Sequence, residues 1–170
     1  MASPGLTATP PHEIGTLISP PSPRYFVVIG VTPRHQIGRP AVLIFHGQGN
    51  ANEAAATNFT VQEHFFPEQP VFVANVVPLR IVPAFLRRVA EDEMEKAYNM
   101  GIRRFINGRY SVSPEEIIYI LPDWKNATVD AFRLGDTWRE IGIVVLDGGG
   151  KVIEKYQGKF PGQKAIEILE

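Results

Sequence analysis

Short apolar runs alternate along the chain with segments of mixed polarity. Such runs of five to seven residues, rich in Val, Ile, Phe and Tyr, are typical of strands in a buried sheet. The unbroken run Ala41 to Phe45 predicts a central strand covered on both faces. By the same criterion we predict strands over residues 25–31, 41–45, 71–77, 116–121, 141–146 and 152–156.

Between the strands, apolar residues recur at the spacing of a helix. We predict helices over 51–66, from about 81 to 105, and over 162–169. A short helix through Ala127 and Phe132 should end at Gly135, and Pro83 should lie in the first turn of the long helix. The sequence Asp147-Gly-Gly-Gly-Lys151 predicts a tight hairpin turn between the last two strands.

Strands joined by helices imply a mostly parallel sheet, and the closing hairpin adds an antiparallel edge. The predicted fold class is therefore α/β, a three-layer sandwich with a mixed central sheet. We expect one domain over residues 25–170, preceded by an extended Pro-rich tail over residues 1–24, where prolines occur at 4, 10, 11, 20, 21 and 23.

Composition then excludes several kinds of function. The chain has no cysteine, which rules out thiolate catalysis and thiolate metal sites. Its net charge of −1 gives no reason to expect nucleic acid as a partner. The four histidines, at 12, 35, 46 and 64, form no ligand pair, so we expect neither a metal nor another cofactor. No apolar run reaches membrane-spanning length and no signal peptide is evident, so we expect a cytoplasmic protein.

Three segments together indicate a family. Gly38–Phe45 is similar to the strand that precedes the active site of thioredoxin-like proteins of the peroxiredoxin or redoxin type. Tyr119–Asp123, followed by Ala131–Gly135, resembles the redoxin strand that ends in Asp and leads to a short helix. Ile143–Ile153, then Tyr156–Gly158, is similar to the closing hairpin. The resemblance covers roughly residues 38–170 and implies a thioredoxin-like fold.

Two departures from the family pattern bear on function. Where the family places its reactive cysteines, this chain has Gln48–Glu53, and where the family has a cis-proline, it has Trp138–Gly142 without proline. Disulfide exchange needs a thiolate that attacks and can leave again. The resemblance therefore implies the fold and argues against thiol oxidoreductase or peroxidase activity.

His46 is the one catalytic candidate, because it ends the central strand at the family's active-site corner. A histidine with a pKa near neutrality can act as acid or base. Glu53 and Asp123 are the carboxylates that would approach it. The alternative is a strand-end histidine that bonds to backbone and has no catalytic role.

The other candidates are binding residues. Gly47, Gln48, Gly49 and Asn50 open a helix and would hold an anion, or else form a plain turn. Trp124 and Trp138 fall in or near loops at the carboxyl end of the strands, where a tryptophan packs in the core or anchors a partner.

Three functional hypotheses remain. The first is a redox-inactive accessory subunit that binds a protein partner, or a second copy of itself, through the Pro-rich tail 1–24. The second is a cysteine-free enzyme that uses His46, which requires a polar pocket closed by Trp124 or Trp138. The third is a small-ligand binder, which requires a sizeable apolar pocket.

Overall fold

The computed structural model describes residues 17–18, 27–28, 38–66, 71–106 and 119–170. Their helices and strands follow the predicted order. The strands are β1 Leu17–Ile18, β2 Val27–Val28, β3 Ala41–Phe45, β4 Phe72–Pro78, β5 Tyr119–Asp123, β6 Gly142–Leu146 and β7 Val152–Gln157. The helices are α1 Ala51–Phe65, α2 Arg87–Ile106, α3 Ala127–Phe132 and α4 Pro161–Leu169.

The main sheet has five strands in the order β5-β4-β3-β6-β7. Strand β4 runs parallel to both of its neighbours, β3 and β5. Strand β6 is antiparallel to β3 and forms the closing hairpin with β7. The mixed sheet with an antiparallel C-terminal hairpin is thus confirmed.

The first two strands, β1 and β2, form a separate antiparallel ribbon. Of the strand predicted over 25–31, the structure describes only the two residues of β2. Most of the tail over 1–24 lies outside the described residues, and the boundary between tail and domain stays a prediction.

Alternation along β3 divides the core between the two faces of the sheet. Leu43 and Phe45 point to the face that α3 covers, where Phe45 meets Phe132 edge to face at 5.8 Å between ring centroids. Val42 and Ile44 point to the opposite face and pack with residues of α1 and α4. All five residues of β3 are buried, as the unbroken apolar run predicts.

The hairpin turn between β6 and β7 depends on one carboxylate. The Asp147 side chain accepts hydrogen bonds from the backbone N–H groups of Gly149 and Lys151, each at 2.9 Å. Gly150 adopts the left-handed conformation at a φ of 82°, which a glycine takes without steric cost. The predicted turn at this position is confirmed.

Two predicted helix ends differ from the structure. Helix α2 begins at Arg87, because Pro83 is extended and a 3₁₀ turn over Ala84–Leu86 comes first. Helix α3 ends with Arg133, and not Gly135, in the left-handed conformation. The Arg133 N–H still bonds to the Asp130 carbonyl at 3.1 Å. That bond closes the last turn two residues before the glycine.

Candidate functional site

The corner after β3 brings two distant segments together. The backbone N–H of His46 donates to the Val76 carbonyl at 3.2 Å, which extends the parallel pairing with β4 by one bond. The N–H of Gly47 then turns toward the loop before β6 and donates to the Thr137 carbonyl at 3.1 Å. The two segments in which the family places its cysteines and its cis-proline therefore face each other here.

The side chain of Asn50 links the two segments of this corner. Its side-chain oxygen accepts the Gly47 N–H at 2.8 Å, and its side-chain nitrogen donates to the Thr137 carbonyl at 3.1 Å. Asn50 also stands at the N-cap position of α1. Its side chain makes no capping bond, because both of its polar atoms are used to join the two loops.

Trp138 packs directly on Gly47. A Cβ atom added to Gly47 would lie 2.5 Å from two carbons of the indole ring, closer than real contacts allow. Only glycine leaves room for the ring at this position. The aromatic ring of Trp138 thus fills the space beside Gly47, directly after the end of β3.

His46 is buried, with 8% of its surface exposed. Its Nδ1 lies 3.0 Å from the Gly47 carbonyl oxygen. Burial lowers the pKa of His46, since the charged form loses its hydration, and the bond to Gly47 only partly opposes this. Because a carbonyl oxygen can only accept, the proton of the neutral ring lies on Nδ1. The Nε2 atom is then a hydrogen-bond acceptor, and it has no partner among the described residues.

A cleft of about 1170 Å³ opens beside His46, between α1 and α2. Its base is the edge of the sheet formed by β4 and β5. Most of the side chains that line it are apolar, among them Phe59, Val77, Leu79, Val82, Leu86, Val89, Met94, Met100 and Ile120. Pockets that bind small molecules generally measure about 300–1,000 Å³, so this space exceeds what one such ligand needs.

Small residues on the facing helices explain the cleft. Helix α1 presents Ala51 and Ala55 to it, and α2 presents Ala90, Ala97 and Gly101. Neighbouring members of each set are four or seven residues apart in the sequence, so each set lies along one face of its helix. Side chains of this size cannot fill the space between the two helices.

Five amide side chains line this mostly apolar space, at residues 48, 52, 58, 75 and 99; Gln48 and Asn52 are exposed, and Asn99 takes part in an interaction of its own. Asn58, on α1, is 9% exposed, and Asn75, on β4, is half-buried; both line the cleft. Asn75 pairs in register with Ile44 of β3 and with Ile120 of β5, so it lies on β4 between these two strands. Within the described part of the chain, neither the Asn58 nor the Asn75 amide has a hydrogen-bond partner. Each therefore offers both a donor and an acceptor to a molecule in the cleft.

The structure groups some of the predicted site residues and separates others. His46, Gly47, Gln48 and Trp138 line one end of the cleft. Gly49 and Asn50 belong to the adjoining turn and do not line it. The predicted anion site at this turn stays a prediction.

Trp124 lies apart from these residues, in the cluster around Leu79 and Tyr98. The guanidinium of Arg87 lies over its ring, 5.1 Å from the centroid. Trp138 therefore adjoins the candidate site, whereas Trp124 packs beneath the start of α2.

Neither predicted carboxylate approaches His46. Both oxygens of Asp123 are used at the start of α3, where they accept the N–H groups of Ala127 and Thr128 at 2.9 and 2.8 Å. Thr128 also donates its hydroxyl to Asp123. Glu53 is exposed on the outer surface of α1. Within the described residues, His46 therefore lacks the carboxylate that would orient a catalytic imidazole.

The sequence predicted helix α2 but not that it forms one side of the site, and it did not single out Asn58 or Asn75. One signal was present: Asn75 interrupts an otherwise apolar strand, Val71–Val77. A polar residue at such a position requires a partner or a functional reason. Asn58 gave no comparable signal, since an asparagine on a helix surface is ordinary.

No protein-family model and no curated protein sequence matches this chain. Solved structures do. StoA from Bacillus subtilis has a TM-score of 0.53 at 12% identity, over 92% of this chain and 95% of its own. The exposed lipoprotein thioredoxin of Streptococcus pneumoniae strain TIGR4 has a TM-score of 0.51 at 15% identity, over 82% and 91%. The fold is thioredoxin-like. A secreted disulfide oxidoreductase of Mycobacterium tuberculosis agrees, with a TM-score of 0.51 at 12% identity, over 94% and 96%.

This likeness concerns the fold alone, since identity is low throughout. The chain keeps the thioredoxin-like fold and has no cysteine. No helix among the described residues is long and apolar enough to cross a membrane. The three structures include a lipoprotein and a secreted protein, and the cytoplasmic location expected for this chain stays a prediction.

Proposed function

We propose that this chain is a redox-inactive thioredoxin-like protein that binds a small apolar molecule in the cleft between α1 and α2. The observation that supports this most is the cleft of about 1170 Å³ itself, with its apolar lining and its few unpartnered polar groups. A space bounded largely by apolar side chains, with a small number of polar atoms that fix orientation, is the usual form of a small-molecule site.

Exposure of the lining supports the same proposal. Phe59, Val89 and Met100 all line the cleft, and they are 48%, 55% and 57% exposed. Leaving such side chains in water costs free energy, at about 25 cal/mol for each Å² of apolar surface. A bound apolar molecule would cover them and recover part of that free energy.

Binding is better supported than acid–base catalysis. The environment of His46 keeps the imidazole neutral, which suits a hydrogen-bond acceptor as well as a base. A general base also needs a group that holds its ring and stabilises the cation formed on proton transfer. No carboxylate does this for His46 among the described residues, so we assign it a binding role.

Titration with Nile red, an uncharged apolar dye whose fluorescence rises in apolar surroundings, tests the proposal. In Ala97→Phe a ring should occupy the space between the helices, and dye binding should weaken at least about tenfold. Ala131→Phe is the matched control, because Ala131 is exposed on α3, on the other face of the sheet. Circular dichroism verifies that both variants fold.

Two results would overturn the proposal. One is that the wild-type protein fails to bind the dye. The other is that Ala97→Phe and Ala131→Phe bind the dye equally well, which would place the dye outside the cleft.

A second candidate function, docking of a protein partner, has one observation in its favour. Ile81 and Phe85, just before α2, are 66% and 82% exposed and lie beside the cleft residues Leu86 and Val89. Exposed apolar side chains grouped in this way often mark a contact with another chain. The partner would be a second copy of this chain or another subunit.

Light scattering of the purified protein tests self-association through this patch. Phe85→Ser should convert an oligomer to a monomer, whereas Phe160→Ser, at a phenylalanine that is 78% exposed beside α4, should not. A wild-type monomer, or equal effects of the two substitutions, would exclude self-association through Phe85.

A further inference from the structure

We infer that the ligand of the cleft is an uncharged, largely apolar molecule with one hydrogen-bonding end group, such as a carboxamide or a hydroxyl. This inference rests on the proposed binding function. It follows from the kind of polar atom that the cleft offers and from the positions of the nearby charges.

Three polar side chains of the cleft lining are at least half-buried and have polar atoms without a partner among the described residues, and all three are uncharged. Asn58 and Asn75 are amides, and His46 is held as the neutral ring with its Nε2 free to accept. A ligand that satisfies all three needs a group that can both donate and accept. A carboxamide or a hydroxyl does this, whereas an ester accepts only.

Charged side chains lie toward the solvent side of the cleft, on α2. Lys96 is exposed, and its ammonium is paired with Glu93 at 2.5 Å. Arg103, exposed near the end of α2, has no charged partner among the described residues. A carboxylate head group would therefore be drawn to Arg103 and away from the buried amides.

A carboxylate could lie against the amides or at Arg103, and either position costs free energy. A carboxylate pushed in against Asn58 would lose its hydration without gaining an opposite charge, which is costly. A carboxylate held at Arg103 would leave hydrocarbon against the amides and Nε2, and their hydrogen bonds would stay unmade. An uncharged polar end incurs neither cost. It places its apolar chain along the small residues of both helices.

Three compounds that share a ten-carbon acyl chain and differ in head group test the inference by displacement of bound Nile red at pH 8. They are decanamide, decanoate and methyl decanoate. Decanamide should bind roughly tenfold more tightly than methyl decanoate, because it alone supplies donors, and each hydrogen bond made contributes about 1 kcal/mol. It should also exceed decanoate by at least that factor.

Substitution of Asn58 or Asn75 tests whether these amides cause the preference for decanamide. In Asn58→Leu and in Asn75→Val the preference for decanamide over methyl decanoate should fall severalfold, while both compounds still displace the dye. If both variants still prefer decanamide to the same extent, the amides do not recognise the head group and the inference is wrong.

The outcomes separate this inference from the function on which it rests. Tighter binding of decanoate, lost in Arg103→Gln, would overturn the inference in favour of an anionic ligand held on the solvent side. Equal binding of all three compounds would also overturn it and leave the cleft as an apolar site without head-group selection. Failure of wild type to bind Nile red or any of the three would refute the proposed function as well.

Discussion

Replacing Asn58 with leucine should make the ligand-free protein more stable. Asn58 is 9% exposed, and its side-chain amide has no hydrogen-bond partner among the described residues. A buried polar group without a partner costs about 1–3 kcal/mol, whereas an apolar group of similar shape does not. Some hydration from the open cleft reduces the gain, so we expect about 1–2 kcal/mol.

The assay is unfolding of Asn58→Leu in urea and by heat, followed by circular dichroism. For a chain of this size, 1 kcal/mol shifts the melting temperature by about 2–4 °C, so the expected rise is about 2–8 °C. Gln62→Leu is the matched control. Gln62 is a second amide on α1, only 1% exposed, and it takes part in an interaction. Its replacement should lower stability.

The reasoning fails if Asn58→Leu destabilises the protein as Gln62→Leu does. Asn58 would then be part of the structural core, and its presence in the cleft would say nothing about a ligand. A gain in stability together with a loss of decanamide preference would show that Asn58 contributes to ligand selection and lowers the free energy of unfolding.

Three further substitutions test the surroundings of the site. Gly47→Ala should lose about 1–3 kcal/mol by urea unfolding, since its methyl group would overlap the Trp138 ring, whereas Gly49→Ala, which meets nothing within 4 Å, should not. His46 has a pKa lowered in the folded state, so the unfolded chain binds the proton more readily. Wild-type stability should therefore fall as pH drops below about 6.5, by at most about 1.4 kcal/mol per pH unit from this group. Comparison of unfolding at pH 5 and 7.5 should show a smaller fall in His46→Gln than in wild type. Asp123→Ala should lower the melting temperature by the equivalent of about 2 kcal/mol, because α3 loses its N-terminal acceptor, whereas the exposed Asp130→Ala should change it little.

The architecture could be predicted from the sequence because burial leaves a regular pattern. The unbroken run of β3 predicted its central position, and the glycines after Asp147 predicted the hairpin. The ends of α2 and α3 were predicted less well. Pro83 is compatible with a first helical turn or with an extended residue before it, and only its neighbours decide between the two.

The site could be predicted only in part, for a physical reason. His46 and Gly47 were singled out because they follow the end of β3, and Trp138 because it lies in the loop before β6; the sequence locates both strands. The cleft itself exists because no large side chains fill the space between α1 and α2. Small residues such as Ala55 and Ala97 are good helix formers everywhere, so their sequence pattern does not show whether they leave a space or a close contact.

The most direct test of the central claim, that the cleft binds an uncharged apolar molecule, is a titration of the isotopically labelled protein with decanamide, followed by NMR. The side-chain amide resonances of Asn58 and Asn75 should shift and saturate together with the backbone signals of Ala55 and Ala97. Signals from α3, on the other face of the sheet, should stay in place. Absence of saturable shifts at both amides, or larger shifts on α3 than in the cleft, would contradict the account.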